Sequence, residues 1–150
     1  MITRLPEIKE ATELVEFSEK GKSFQLDADA LKAWRAMREQ ALKESVSMYL
    51  ISAFRSIRRQ HEIIESKKQR GLSEAAIYKV NAPAGFSEHH SGKAIDIGTE
   101  NYPDLEEVFA ESPTFKWLSE NAVNFDSRLS YPANNPYGIA YEPWHWLYIG

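Results

Sequence analysis

The segment Ala94-Ile95-Asp96-Ile97-Gly98 sets one carboxylate between two isoleucines in a run that alternates as a strand does. In such a strand Ala94 and Asp96 point to one face, while Ile95 and Ile97 point to the other, into the core. An ionised aspartate held among buried apolar side chains is costly unless it is paired or bound to a cation. The fold must therefore bring partners to Asp96. The chain has no cysteine, which excludes disulfides, thiolate metal ligands and a cysteine nucleophile.

A chain of 150 residues, 43% hydrophobic and 27% charged, fits one soluble globular domain with a continuous core. The net charge of −4 argues against a nucleic-acid partner, which calls for a basic excess. No apolar stretch is long enough for a membrane span. The N-terminal residues Met1-Ile2-Thr3-Arg4-Leu5-Pro6-Glu7 lack the apolar run of a signal peptide, so the expectation is a protein cytoplasmic at synthesis.

Residues 7–20, charged and weakly amphipathic, predict a first helix ending near Gly21. Asp27 and Asp29 offer N-caps to a second helix reaching Glu44, with Leu31, Trp34, Met37 and Ala41 facing the core. Residues 46–53 read as a buried strand. Ser56 caps a helix through Arg70, closed by Gly71, with Ile57, His61 and Ile64 on one packed face. The run Lys67-Lys68-Gln69-Arg70 reads as a solvated helix end. Ser73 starts a short helix ending near Val80, and 81–85 is a loop. Ser112-Pro113 opens a helix with Phe115, Leu118 and Ala122 as its apolar stripe. Two strands, 137–141 and 146–149, are expected to bracket Glu142-Pro143-Trp144-His145. Mixed helices and strands without βαβ alternation predict an α+β fold with a small antiparallel sheet.

The four histidines are His61, His89, His90 and His145. His89 precedes the Asp96 strand, and Gly92 permits the turn that lets the two side chains converge. Pro143 cannot donate to a sheet ladder, and that break lets Glu142 and His145 face a common cavity. If these segments converge, His89, Asp96 and His145 make a three-ligand zinc set with the fourth position open to water. Zinc lowers the pKa of such a water to about 7, and Glu142, a carboxylate outside the ligand set, is suited to take its proton. His-x6-Asp and Glu-x2-His are each common, so the spacing by itself leaves the convergence open.

The patterns Ser-x-His-x2-Gly-x-Ala-x-Asp (Ser87, His89, Gly92, Ala94, Asp96) and Glu-Pro-Trp-His (Glu142 to His145) resemble the VanY-like D-alanyl-D-alanine carboxypeptidases. These belong with the lysostaphin-type zinc peptidases and the Hedgehog signalling domain. Ser52-Ala53-Phe54-Arg55-Ser56 with Gln60 resembles a third family segment, with Phe54 in place of the usual tyrosine. Leu129-Ser130-Tyr131-Pro132 and Tyr137 to Tyr141 resemble the closing segment. The resemblance runs from about residue 46 to 150, and residues 1–45 are expected to add N-terminal helices.

The resemblance implies Zn2+ on His89, Asp96 and His145, Glu142 as catalytic base, and Arg55 as the group that stabilises the carbonyl oxygen as it gains charge. It gives Gln60 and Ser87 substrate or supporting hydrogen bonds and makes Trp144 a pocket wall. No metal bond is expected for His90. The implied substrates are peptidoglycan stem peptides cut beside a D-amino acid, and the implied place of action is the cell envelope. The expected activity is removal of a terminal D-alanine. An endopeptidase of the phage-lysin type and a non-catalytic zinc-binding module are the alternatives.

Overall fold

The computed structural model describes residues 4–150. The sequence reading of residues 1–3 lies outside the described residues. The first element is a hairpin: β1 (Val15–Glu19) pairs antiparallel with β2 (Lys22–Leu26), Phe17 opposite Phe24. Lys20 and Gly21 both have positive φ, 49° and 77°, as a tight two-residue hairpin turn requires. This corrects the helix expected over 7–20. Gly21 is a turn residue, not a helix stop. Phe17 and Phe24 are both buried, with ring centroids 5.8 Å apart, and that cross-strand pair prevails over weak helical periodicity.

Upstream of the hairpin, residues 8–11 form a strap without regular structure. Its backbone N–H groups bond outward, Ile8 to the Gly85 carbonyl at 2.8 Å and Ala11 to the His90 carbonyl at 2.8 Å. The Glu10 carboxylate accepts from the Ile57 N–H at 2.6 Å.

Helix α1 (Ala28–Lys43) is capped by Asp27, whose carboxylate accepts from the N–H groups of Asp29 and Ala30. Its Leu31, Trp34, Met37 and Ala41 are buried as their spacing predicts. Strand β3 (Tyr49–Ser52) leads to α2 (Ile57–Gln69), capped by Ser56, and α3 (Glu74–Val80), capped by Ser73. On α2 the buried face runs through Gln60 and Ile64, one turn apart. His61 lies one residue further round and is exposed, which corrects its expected packing in the core.

Strand β4 (Ala94–Gly98) is followed by α4 (Pro113–Asn121), which is capped by Ser112. Strands β5 (Ser127–Leu129) and β6 (His145–Tyr148) complete a four-stranded antiparallel sheet in the order β3-β4-β6-β5. Residues 137–141 do not form the expected strand. The Asn135 amide takes their backbone groups instead, donating to Ile139 O at 2.7 Å and accepting from the Tyr137 N–H at 3.1 Å. Gly138, at φ 71°, turns the chain further from extended geometry.

All five residues of β4 are buried, because β4 is an inner strand. Ile95 and Ile97 join Leu26, Trp34, Leu50, Phe109, Leu118 and Trp146 in the core. The chain is α+β: among the described residues, small antiparallel sheets are packed with four α-helices. No helix among the described residues is long and apolar enough to cross a membrane.

Candidate metal centre

The inner strand delivers Asp96. In the β4–β6 ladder Asp96 stands directly opposite His145, and in the β3–β4 ladder it faces Ser52. The Ser52 hydroxyl donates to Asp96 Oδ2. His89 arrives from outside the sheet, on a single 3-10 turn over Glu88–Ser91. The Ser87 hydroxyl caps that turn by accepting from the His89 N–H at 3.2 Å. Gly92 ends it at φ 74°, where an added Cβ would lie 2.7 Å from Leu14 Cδ2 and 3.3 Å from the Asp27 nitrogen.

His89, Asp96 and His145, all buried, each offer one ligand atom within 4.8 Å of the others. His89 Nε2 is 3.2 Å from Asp96 Oδ2, and His145 Nδ1 is 3.1 Å from Asp96 Oδ1. The outward ring nitrogens set the tautomers. His89 Nδ1 is 2.7 Å from the Ala53 carbonyl, which can only accept, so Nδ1 carries a hydrogen and Nε2 is the nitrogen turned inward. His145 Nε2 donates to Glu88 Oε1 at 2.8 Å, which turns Nδ1 inward. Metal-bound imidazoles are held in this way, with a carbonyl or carboxylate behind each ring.

The charge balance also favours a cation. Burial acts to raise the Asp96 carboxyl, but the charge of His89 and hydrogen bonds from both imidazoles outweigh it and hold Asp96 well below the usual range. Burial likewise opposes charge on His145, yet the Asp96 and Glu88 carboxylates raise it to about 10. The donor set, two neutral imidazole nitrogens and one carboxylate oxygen, suits zinc.

Glu142 stands beside this cluster, its carboxylate 3.9 Å from His145 Nδ1. Burial, reinforced by the nearby Asp96 and Glu88 charges, raises its pKa to about 7 despite His145 and Arg55. Pro143 and Trp144 turn the chain so that the His145 N–H bonds the Glu142 carbonyl at 3.2 Å. The Arg55 guanidinium donates to Gln60 Oε1 at 3.0 Å, and the Gln60 amide donates to the Ala82 carbonyl at 2.7 Å. Burial lowers the Arg55 pKa.

One cavity of about 350 Å³ is lined by all the residues singled out from sequence: Arg55, Gln60, Ser87, His89, Asp96, Glu142, Trp144 and His145. His90 points away from it. Its Nδ1 donates to the Arg55 carbonyl at 2.8 Å, and its Nε2 accepts from the Gly85 N–H at 3.1 Å. Three other residues at the site carry no role in the sequence reading. Glu88 holds His145, Ser52 holds Asp96, and the Tyr131 ring lies 5.0 Å from the His145 ring. Ser52 is legible in retrospect, as the polar end of a strand that must pair with Asp96. Glu88 and Tyr131 meet His145 only through the tertiary fold.

Known proteins share this fold. Residues 23–150 match the VanY family, described as D-alanyl-D-alanine carboxypeptidase. The YodJ protein of Bacillus subtilis (strain 168) is 33% identical over 141 residues, covering 89% of this chain and 50% of that protein, so the chain spans half the length of this relative. The solved structure of the LdcB LD-carboxypeptidase, reported for its peptidoglycan recognition, superposes with a TM-score of 0.83 at 32% identity, covering 98% of this chain and 72% of that one. A mutant of the vancomycin-resistance D,D-pentapeptidase VanY in complex with Zn(II) shares the fold, with a TM-score of 0.77 at 24% identity, covering 100% and 87%. The match over residues 23–150 covers most of the chain, and the chain belongs to the VanY D-alanyl-D-alanine carboxypeptidase family.

Proposed function

We propose that this chain is a zinc-dependent D-alanyl-D-alanine carboxypeptidase acting on peptidoglycan stem peptides as one domain over residues 1–150, with Glu142 as general base. The observation that carries the reading is the position of Glu142. Its carboxylate lies outside the His89–Asp96–His145 set yet beside it, with its pKa raised to about 7. A base serves best when its pKa is near the working pH. The Zn(II) carried by the VanY relative and the donor set of this chain support zinc as the metal.

His89, Asp96 and His145 would hold the zinc, which when bound would supply a Lewis acid for the scissile carbonyl and acidify a water. The residues of the chain do the rest. Glu142 takes a proton from the attacking water as its oxygen bonds to the carbonyl carbon. Glu142 then gives that proton to the departing amide nitrogen as the C–N bond breaks, so D-alanine leaves as an amine. The Arg55 guanidinium, held by Gln60, donates to the carbonyl oxygen as it gains negative charge, and a fixed donor of this kind is worth roughly 10²–10³ in rate. Trp144 and Tyr131 wall the cavity. The wall substrate implies work in the cell envelope.

The test combines metal analysis with product analysis. The zinc-loaded protein should release free D-alanine from a stem pentapeptide, read by mass. Release of longer fragments alone would mark an endopeptidase. Zinc binding with no hydrolysis would mark a binding module. The Glu142→Ala variant should keep its zinc and lose about 10²–10⁴ in rate; turnover equal to the parent's would reject the general-base role.

A further inference from the structure

The cavity lining carries both signs of charge: Glu88, Asp96 and Glu142 at the metal cluster, Arg55 close enough to act on Asp96 and Glu142, and Lys67. Lys67 sits on the face of α2 that carries Gln60 and Ile64, two turns beyond Gln60. That spacing is about 10 Å along the helix, but a long helical side chain leans back toward the N-terminus. The hydrogen bonds show how far it leans. Gln60 donates to the carbonyl of Ala82, and the Lys67 ammonium donates to Asn81 Oδ1, on the adjacent residue, at 3.0 Å. The Asn81 amide is oriented for this by its own donation to the Ile77 carbonyl at 2.8 Å. Arg55, Gln60, Asn81 and Lys67 therefore form one continuous polar wall.

Among the described residues, neither Arg55 nor Lys67 has a carboxylate within 4.0 Å. Lys68, one residue further and outside the cavity, has two, Glu65 and Glu74. Among the described residues, only the neutral Asn81 amide meets the Lys67 ammonium, leaving two of its three donors without a protein partner there. Burial lowers its pKa, and Arg70 and Arg55 lower it further. A half-buried cation without a counter-ion, facing a cavity, marks a place where an anion binds strongly.

We propose that Lys67 is a specificity-determining residue that binds the free C-terminal carboxylate of the residue to be released. This deepens the proposed function and rests on it. A peptide lying across the metal end presents its scissile carbonyl to Arg55 and its terminal carboxylate to the same positive wall. A chain that continues past the scissile bond has no carboxylate to offer there, so Lys67 selects an exopeptidase substrate.

The test compares an N-acylated D-alanyl-D-alanine with its C-terminal amide. The zinc-loaded parent should cleave the acid in preference to the amide. Lys67→Met should lower kcat/KM for the acid by about 10- to 100-fold, mainly through KM, and leave the amide unchanged. Lys67→Arg should restore most of the loss. Calorimetric binding of both ligands in a Glu142→Ala background gives the same comparison without turnover. If the parent cleaves the acid but Lys67→Met weakens acid and amide equally, or neither, the carboxylate anchor is wrong and the proposed function stands. If the parent neither cleaves nor binds either ligand, both fall.

Discussion

Asp96 and His145 stand directly opposite each other on neighbouring antiparallel strands, with Asp96 Oδ1 3.1 Å from His145 Nδ1. Two of the proposed ligands, from segments far apart in the chain, are thus fixed by sheet register, which a one-residue slip would destroy. Zinc binding to the folded state should raise the unfolding midpoint, by about 2.7 kcal/mol of stability at a hundredfold excess over the dissociation constant. A chelator should remove this gain, and Asp96→Ala should show none of it. Thermal melts with and without zinc measure both effects; an equal zinc shift in parent and variant would contradict the ligand assignment.

Glu88 acts through His145 and is a positioning residue. Burial acts to raise its carboxyl, but the hydrogen bond and charge of His145 outweigh it and keep Glu88 below the usual glutamate range. Glu88→Gln replaces that partner with a neutral amide of the same shape. Zinc affinity should fall by about 10- to 100-fold while the fold survives. Competition with a coloured chelator gives the affinity, and far-ultraviolet circular dichroism checks the fold.

The preference for a free acid should depend on pH in a defined direction. Lys67 binds a carboxylate only while protonated, and burial, Arg70 and Arg55 all lower its pKa from the ordinary 10.5. The other charged groups lining the cavity are Glu88, Asp96 and Glu142. The acid-over-amide ratio should therefore be full below the lowered pKa and decline as pH rises through it, at lower pH than an ordinary lysine would give. Lys67→Arg should hold the ratio flat over that range. A parent ratio that stays constant up to pH 10.5 would contradict this.

Gly92 carries a structural demand separate from the chemistry. At φ 74°, with Leu14 Cδ2 2.7 Å from any added Cβ, Gly92→Ala meets both backbone strain and a clash. The expected loss is about 1–3 kcal/mol, read by urea denaturation. Gly85 also has positive φ, 93°, but nothing lies within 4 Å of an added Cβ, so it tests strain without the clash.

Local chemistry made much of this legible. Asp27, Ser56, Ser73 and Ser112 cap helices where a short side chain meets its own next turn, and such rules need only a few residues of context. The demand of Asp96 for partners was visible for the same reason, since two isoleucines flank it. What stayed hidden depends on distant packing. The β1–β2 hairpin forms because Phe17 and Phe24 share a core with residues from the other end of the chain. Glu88 is one more glutamate until His145 folds onto it. Lys67 belongs to a run of helix-end charges, and only Asn81 and the cavity behind it separate it from Lys68.

The strap at residues 8–11 lies wholly upstream of the stretch that matches the family, 23–150. Yet Ile8 and Ala11 clamp the carbonyls of Gly85 and His90, the two ends of the loop that presents His89, and Glu10 ties down the first residue of α2. A shortened version that begins at residue 12 would keep the hairpin and every proposed ligand and lose the brace that aims one of them. Engineering that treats residues 8–11 as dispensable would then yield a protein that folds but holds the proposed zinc loosely.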